Sequence, residues 1–429
     1  MNDFLEFINQ SYTAFHAIQN IEIELQKANF IKLNPTDTWN IEMGKSYYVI
    51  KNASSIIAFK MPNDLQNVGI HIVASHSDSP SYKIKPNATI IDNKNGYVKL
   101  NTEGYGGMIS YSWMDRPLGI AGRVFVEDGN KIIEKFIHFN ETITIPSLAI
   151  HLNRTGEWKP NPQIDMLPLF GNDIKFEDAL EKYANGKVIA HDLFLYNKEE
   201  ARVIGMNNEY ISSGRLDDLE CAYASIQSLI CSVPKNISMC VIFNNEEVGS
   251  RSNNGADSTI LEEVIQEICM SLHLNMSQVL ARSFVVSADN AHAVHPNHPE
   301  KTDSTNMVYM NKGIVIKHQA GLSYTTDAFS EAIFKKICKM ADCPYQDYTN
   351  RSDERGGSTL GAILLSHISI PSVDIGLAQL AMHSCMELAG IDDLNTMIKV
   401  LIKYFETKIN YENNTIMTVS YTHLRAHET

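Results

Sequence analysis

The sequence lacks the features of a secreted or membrane-anchored protein. Its first residues, Met1 to Phe4, do not form the basic region and apolar run of a signal peptide, and no apolar run approaches the roughly 18 residues that a membrane-spanning helix needs. The seven cysteines, an odd number, all lie between Cys221 and Cys385 without a CxxC spacing. This pattern indicates neither a disulfide framework nor a zinc ribbon. We therefore expect a cytoplasmic protein with reduced thiols and no membrane partner.

Positive charge is also scarce. The chain has 36 basic and 50 acidic residues, a net charge of −14. This balance argues against nucleic acid or an anionic membrane as the main partner, although a local basic pocket could still receive an acidic substrate. At 429 residues, with 44% hydrophobic and 20% charged residues, the composition is that of a globular protein with one large or two medium domains.

The pattern of helix and strand signals along the sequence changes twice. Helical and strand-like patterns alternate up to residue 81 and again from residue 211, which predicts an α/β fold. Between Tyr82 and Tyr210, strand-like segments are separated by Gly and Asn turns, and helical periodicity is scarce. We expect a discontinuous α/β domain, residues 1–81 and 211–418, interrupted by a β-rich insertion of residues 82–210.

Two predictions concern the ends of the chain. The apolar residues from Phe4 to Ile18 predict one amphipathic opening helix capped by Asn2 or Asp3, and a last helix is expected from about Asp392 to Ile409. Residues 419–429 are polar and have no helical period. We interpret them as a non-native tail and exclude them from the fold.

An adjacent pair of glutamates marks the first candidate site. Glu246 and Glu247 follow the apolar run Ile237 to Phe243, which reads as a buried strand, and strand ends are where open α/β sheets place their chemistry. Two adjacent carboxylates repel each other and are costly to desolvate. A lone pair is most often a solvated acidic loop, so the functional reading needs partners elsewhere in the chain.

Those partners also stand at strand ends or loop starts. Each is weak evidence alone, because a turn, a helix cap or the surface explains it equally well. Together, two histidines and three carboxylates suit a pair of zinc ions, with one carboxylate as a bridge and Glu246 left free as a general base. The five candidate ligands are His76, Asp217, Glu247, Asp289 and His383.

With these residues in place, the chain resembles the aspartyl aminopeptidase family of di-zinc exopeptidases from about Phe4 to Tyr411. The matching blocks are long and occur in the family's order. They are SYTAFHAI (11–18), HSDSP (76–80), WMDR (113–116), GIAGRV (119–124), IPSLAIHLNR (145–154), RLDD (215–218), NEEVGS (245–250), SADNAHAVHPN (287–297) and AMHS (381–384).

The resemblance implies an architecture and a metal content. It implies a mixed-sheet zinc exopeptidase domain sandwiched by helices, with the β-rich insertion as a dimerisation domain. It also implies two Zn²⁺ per subunit, other divalent metals such as Co²⁺ or Mn²⁺ being possible. The assembly implied is a hollow, tetrahedral homododecamer whose active sites face inside.

The resemblance also assigns roles to the metal-site residues. His76 and Asp289 would bind the first metal, Glu247 and His383 the second, and Asp217 would bridge them. Glu246 would be the general base for a water held between the metals, and Asp78 would orient His76.

Three further residues take roles from the same resemblance. His151, which on the residues alone reads as a surface histidine, would reach a neighbouring subunit's active site. Lys317 and Tyr324 would lie near the pocket for the first side chain of a peptide substrate.

The implied reaction is removal of an N-terminal residue, Asp or Glu, from peptides. Two departures bear on this substrate preference: many relatives have Asn where this chain has Asp218, and residues 320–323 differ from the usual polar run. The alternatives are an aminopeptidase of the same clan that prefers neutral or basic first residues, and a catalytically silent shell or cargo protein.

Overall fold

The computed structural model describes residues 1–154, 159–354, 356–412 and 415–419. The strands in this part of the chain are β1 (Ile31–Lys32), β2 (Ser46–Lys51), β3 (Ser55–Lys60), β4 (Ile70–His76), β5 (Ser81–Ile91), β6 (Tyr97–Tyr105), β7 (Leu118–Asp128), β8 (Lys131–His138), β9 (Leu169–Asn172), β10 (Val188–Asn197), β11 (Arg202–Ile204), β12 (Tyr210–Ser213), β13 (Ile237–Phe243), β14 (Phe284–Ala288), β15 (Ala291–His292), β16 (Ile314–His318), β17 (Tyr345–Thr349), β18 (Ser372–Gly376), β19 (Ala378–Leu380), β20 (Glu387–Gly390), β21 (Lys408–Glu412) and β22 (Thr415–Val419). The α-helices are α1 (Asn2–Gln10), α2 (Ala14–Lys27), α3 (Phe176–Ala184), α4 (Leu216–Cys231), α5 (Ile260–Ser271), α6 (Met276–Leu280), α7 (Ala328–Met340), α8 (Leu360–Leu364) and α9 (Ile391–Phe405).

A nine-stranded mixed sheet forms the centre of the larger lobe. Its strand order is β1-β2-β3-β13-β4-β14-β18-β16-β17. The four central strands β13, β4, β14 and β18 run parallel, and β3 and β16 flank them antiparallel. The carboxyl ends of the four central strands therefore meet at one edge of the sheet.

Helices cover both faces of this sheet. Strand β13 is buried on both sides, and its side chains alternate between two cores: Cys240 and Ile242 pack with α1, α2, α4, α7 and α9, whereas Met239 and Val241 pack with α5, α6 and α8. A continuous apolar strand of this kind is what a helix-covered parallel sheet requires. The structure confirms the predicted α/β class, with a mixed sheet between helices.

A separate six-stranded antiparallel sheet lies within residues 81–197, in the region where the sequence predicts a β-rich insertion. Its strand order is β8-β7-β10-β5-β6-β9. Helix α3 covers part of this sheet. The helix and the sheet together form a hydrophobic core of their own, which includes Phe176, Leu180 and Leu193. A third sheet, β11-β12-β20-β19-β15, carries the chain back toward the larger lobe.

The opening helix differs from the prediction. The chain forms two helices, α1 and α2, separated at Ser11 to Thr13, and the cap position is Met1. Ser11 Oγ donates a hydrogen bond to the Phe7 carbonyl at 2.6 Å, and Thr13 is extended at φ −143° and ψ 172°. A serine that bonds back to the preceding turn competes with helix continuation, and the apolar spacing does not reveal that competition.

The end of the chain also differs. The last helix ends at Phe405, and residues 408–412 form β21, which pairs antiparallel with β22. Val419, predicted to begin a non-native tail, is the last residue of β22 and pairs with Lys408. The other residues of that tail, 420–429, lie outside the described part of the chain.

Two smaller observations agree with the composition. The seven cysteines are free. No helix in the described part of the chain has the length and the hydropathy needed to cross a membrane.

Candidate metal centre

Three parallel strands deliver the candidate ligands to one edge of the sheet. His76 is the last residue of β4, Asp289 follows β14, and Glu246 and Glu247 follow β13 after a two-residue turn. Because β13, β4 and β14 are parallel neighbours, residues from distant parts of the sequence converge there, as the rule for open α/β sheets predicts.

Asp217 lies between the two histidines. It is in the first turn of α4 and is 3% exposed. Its Oδ1 is 3.5 Å from His76 Nε2, and its Oδ2 is 3.3 Å from His383 Nε2. Each carboxylate oxygen thus faces a different imidazole, which is the arrangement that a bridging ligand needs.

The remaining candidate ligands divide between the two histidines. Asp289 Oδ1 is 3.8 Å from His76 Nε2, and Glu247 Oε2 is 3.4 Å from His383 Nε2. Possible ligand atoms lie within 4.8 Å of one another in each of two groups that share Asp217. The first group contains His76, Asp217, Asp218 and Asp289. The second group contains Asp217, Glu247 and His383. The structure therefore brings all five predicted ligands together in two adjoining sets.

The pKa shifts in this cluster indicate that its buried carboxylates would be stabilised by positive charge. Burial and then Asp217 raise the pKa of Glu247 well above its usual value. Burial, together with the neighbouring Asp289 and Asp78, raises the pKa of Glu246 to about 8. Burial alone would lower the pKa of His76, but the surrounding carboxylates raise it well above its ordinary value. Concentrated buried carboxylates are costly unless they are paired or coordinate a cation.

The residues fit zinc. Nitrogen from histidine and oxygen from carboxylate are ordinary zinc ligands. Asp217 Oδ1 and Glu247 Oε1 are buried and have no hydrogen-bond partner among the described residues, so each is free to act as a ligand.

Asp78 supports the cluster in two ways. Its backbone carbonyl is 3.1 Å from His76 Nδ1, and its carboxylate is 3.5 Å from the same nitrogen. The carboxylate also accepts the backbone N–H groups of Glu246 and Glu247, at 3.1 and 3.2 Å. Asp78 therefore contacts both a candidate ligand and the backbone of the Glu-Glu pair.

Three supporting residues were missed in the sequence analysis or left without a role. Tyr105 donates its hydroxyl to Asp78 at 2.7 Å. Glu387, 2% exposed, accepts the backbone N–H groups of Asp217 at 3.1 Å and His383 at 2.7 Å. Asp218 accepts the backbone N–H of His76 at 3.1 Å. Nothing in the spacing of Tyr105 or Glu387 marks them, whereas Asp218 stands beside a candidate ligand, in the RLDD block, and was left without a role.

A cleft of about 160 Å³ opens beside the cluster, and both predicted substrate-binding residues line it. The ammonium of Lys317 donates to the backbone carbonyls of Asp289 and Asn290, at 2.8 and 3.2 Å, and lies 5.2 Å from the centre of the Tyr324 ring. His292, which the sequence analysis did not single out, also lines this cleft.

His151 lies elsewhere. It is exposed in the short 3-10 helix Ile150–Leu152 and is not among the residues that line the cleft. Within one chain, the structure therefore does not bring it to the other site residues.

Comparison with known proteins finds a matching family model and similar sequences. The model of the family described as "Aminopeptidase I zinc metalloprotease (M18)" matches residues 7–405. A protein of Clostridium novyi (strain NT), named "Probable M18 family aminopeptidase 2", is 45% identical over 94% of this chain and 98% of its own length.

Solved structures show the same fold. The aligned chain in a cryo-EM structure of the Ape4 and Nbr1 complex is 34% identical, with a TM-score of 0.90 over 94% of this chain and 85% of that one. A chain from the S. cerevesiae mApe1 dodecamer has a TM-score of 0.82 and 24% identity over 94% of this chain and 95% of that one. At this lower identity, the likeness shows the fold alone.

Proposed function

The chain belongs to the aminopeptidase I zinc metalloprotease (M18) family, and from this premise we propose that it removes an N-terminal aspartate or glutamate from peptides. The resemblance noted in the sequence is thus confirmed at the level of the family, whose members are zinc aminopeptidases. The observation that carries the substrate proposal is Lys317, a buried lysine that lines the cleft beside the metal cluster. An acidic side chain in a partly desolvated pocket needs such a cation.

Two zinc ions per subunit are part of the proposal. His76 and Asp289 would hold one ion, Glu247 and His383 the other, and Asp217 would contact both through its two oxygens. The distances from Asp217 to the two histidines support this division. Zinc bound there would lower the pKa of a water molecule and polarise the substrate carbonyl.

Glu246 is proposed as the general base. It lines the cleft beside the candidate ligands, and its carboxylate has no hydrogen-bond partner among the described residues. In this role it takes a proton from the attacking water and returns it to the leaving amine. The Asp78 carboxylate accepts the backbone N–H groups of Glu246 and Glu247 and so holds the two residues side by side. The carboxylates of the cluster would bind the substrate's free α-amine and so restrict cleavage to the end of the chain.

A preference for neutral first residues is the alternative that one observation favours. The Lys317 ammonium already donates to two backbone carbonyls and lies 4.0 Å from Asp289 Oδ2. Only its third N–H remains for a substrate carboxylate. Lys317 would then mainly hold the Asp289 loop, and the cleft would take an uncharged side chain.

A substrate panel separates these readings. Zinc-loaded protein is assayed on aminoacyl substrates with Asp, Glu, Ala, Leu and Lys as the first residue, as wild type and as Lys317→Met. The control is Lys312→Met, an exposed lysine just before the same strand, β16. The proposal expects the highest kcat/KM on Asp or Glu, with a selective loss of at least about tenfold on these substrates in Lys317→Met. An equal loss on all five substrates would show that Lys317 has a structural role. The absence of any turnover that a chelator can abolish would favour a silent shell protein.

Self-association into a tetrahedral homododecamer in the cytoplasm is also proposed, with His151 acting across a subunit boundary. Three large apolar side chains around His151 are exposed: Leu148 (55%), Ile150 (68%) and Leu152 (73%). Clustered exposed apolar residues often mark an interaction surface, and a similar protein is described as a dodecamer. The mass in solution by light scattering tests this, and a monomer at assay concentration would contradict it.

A further inference from the structure

A second cavity lies between the two lobes and is lined in part by the loop that carries Asp78. It has a volume of about 270 Å³, enough for a molecule of about amino-acid size. Its wall includes strands of the six-stranded sheet, the break between α1 and α2, and the loops after β4 and β13. We call it the interlobe cavity, and no step of the proposed reaction uses it.

Arg215 lines this cavity and has no ion-pair partner among the described residues. Its Nη2 donates to the carbonyl of Ile8 at 3.0 Å. Its Nε is buried without a hydrogen-bond partner, and the described residues offer no acceptor to Nη1. The guanidinium is partly buried and remains charged at all ordinary pH values, so acceptors beyond the single Ile8 carbonyl would stabilise it.

The other cations of the cavity are already paired. Lys83 Nζ is 2.8 Å from Asp192 Oδ1, and Arg123 Nε is 2.9 Å from Asp192 Oδ2. Arg123 also contacts Glu134 at 3.1 Å. The unsatisfied positive charge is therefore that of Arg215.

The acids that line the cavity are satisfied as well. The Asp78 carboxylate accepts three hydrogen bonds, from Tyr105 and from two backbone N–H groups, and Glu387 accepts two. A second donor of the wall, the indole N–H of Trp113, is buried without a partner. The buried groups of the cavity wall that lack a hydrogen-bond partner are thus both donors. A ligand that binds there should therefore carry a hydrogen-bond acceptor.

We propose that the interlobe cavity binds a small organic carboxylate, with its carboxylate group on Arg215. Aromatic side chains supply an apolar wall for the body of the ligand, among them Phe15, Trp113 and Phe194. A singly charged carboxylate fits better than a phosphate dianion, because Asp78, Asp192 and Glu387 also line the cavity and repel additional negative charge.

The test uses phenylacetate, which combines an aromatic ring with a carboxylate, and the zinc-loaded protein. Kd is measured by titration calorimetry for the wild type, Arg215→Met and Lys83→Met. Lys83 is the matched control, because it lines the same cavity but is already paired with Asp192. Loss of the charge-assisted hydrogen bond should weaken binding by about tenfold or more in Arg215→Met and by no more than about twofold in Lys83→Met. The neutral isostere phenylacetamide should bind the wild type at least about tenfold more weakly.

A second measurement needs no variant and also excludes binding to the metal centre. Wild-type crystals are soaked in (4-bromophenyl)acetate, and the bromine is located by anomalous scattering. A peak between Trp113 and Phe194 supports the proposal. A peak only in the cleft beside Glu246, no detectable binding at millimolar ligand, or equal affinity in wild type and a folded Arg215→Met would overturn it.

Discussion

Tyr105 donates a hydrogen bond to the Asp78 carboxylate at 2.7 Å and thereby joins the six-stranded sheet to the metal-site loop. The same hydroxyl accepts a hydrogen bond from Asn245 Nδ2 at 2.9 Å. Because Asp78 accepts the backbone N–H groups of Glu246 and Glu247, one tyrosine of the smaller lobe reaches the backbone of the proposed base through a single carboxylate. Groups that hydrogen-bond to the residues around metal ligands commonly orient those ligands.

Tyr105→Phe should lower kcat by about 10- to 100-fold, the usual effect of removing such a supporting group. The pocket for the first side chain is not altered, so KM should change far less. Tyr97→Phe is the control, since Tyr97 begins the same strand, β6, and is 49% exposed. A kcat within about twofold of wild type in Tyr105→Phe would show that the hydroxyl does not position the site.

Glu246→Gln should reduce turnover by about 10²- to 10⁴-fold while both metals stay bound, because the change removes a base but no proposed ligand. Steady-state kinetics and metal analysis of the same sample measure the two effects. The exposed Glu262 on α5 provides the control variant Glu262→Gln, which should match wild type. Loss of one metal equivalent, or activity within tenfold of wild type, would contradict the role.

Asp217→Asn and Asp218→Asn form a matched pair that tests the bridge. A neutral amide is a poor bridge between two dications, so Asp217→Asn should lose both metals. Asp218 contacts the backbone N–H of His76 at 3.1 Å and its Nε2 at 4.0 Å, so Asp218→Asn should retain both. If metal analysis gives the reverse result, the bridge belongs to Asp218.

The sequence predicted the edge of the sheet where the site forms. The predicted bounds of β13, Ile237 to Phe243, match the structure, because buried parallel strands are short continuous apolar runs with clear ends. The residues that follow such strands converge by topology alone. That is why His76, Glu247 and Asp289 could be placed together before any distance was known.

The sequence could not supply the supporting contacts. Tyr105 donates to Asp78, 27 residues away, and Glu387 accepts the backbone N–H of Asp217, 170 residues away. Contacts between such separate segments leave no periodic signal in the sequence. The pairing of Val419 with Lys408 was not predicted for a similar reason: it depends on contact between two strands at the chain end, and the polar composition there obscured it.

The last prediction concerns His151 and the assembly. His151 is exposed beside Ile150 and Leu152 and does not line the cleft of its own chain. If a neighbouring subunit supplies it to the active site, its imidazole could donate a hydrogen bond to the oxyanion that forms during attack. Removal of one such donor typically costs about 10²- to 10³-fold in kcat. His151→Ala alone should therefore be nearly inactive, as should Glu246→Gln.

Mixing these two variants decides between a shared site and a site within one subunit. After subunit exchange, a site in a His151→Ala subunit keeps its own Glu246 and receives an intact His151 from a Glu246→Gln neighbour. Random pairing would complete up to about a quarter of the sites, so activity should return to that fraction of wild type. As the control, His151→Ala is mixed with the double variant His151→Ala/Glu246→Gln, in which no site can be completed. Exchange confirmed by native mass spectrometry without recovery of activity would show that His151 does not act across the boundary, because every mixed particle would then contain the required pairs and still fail to turn over.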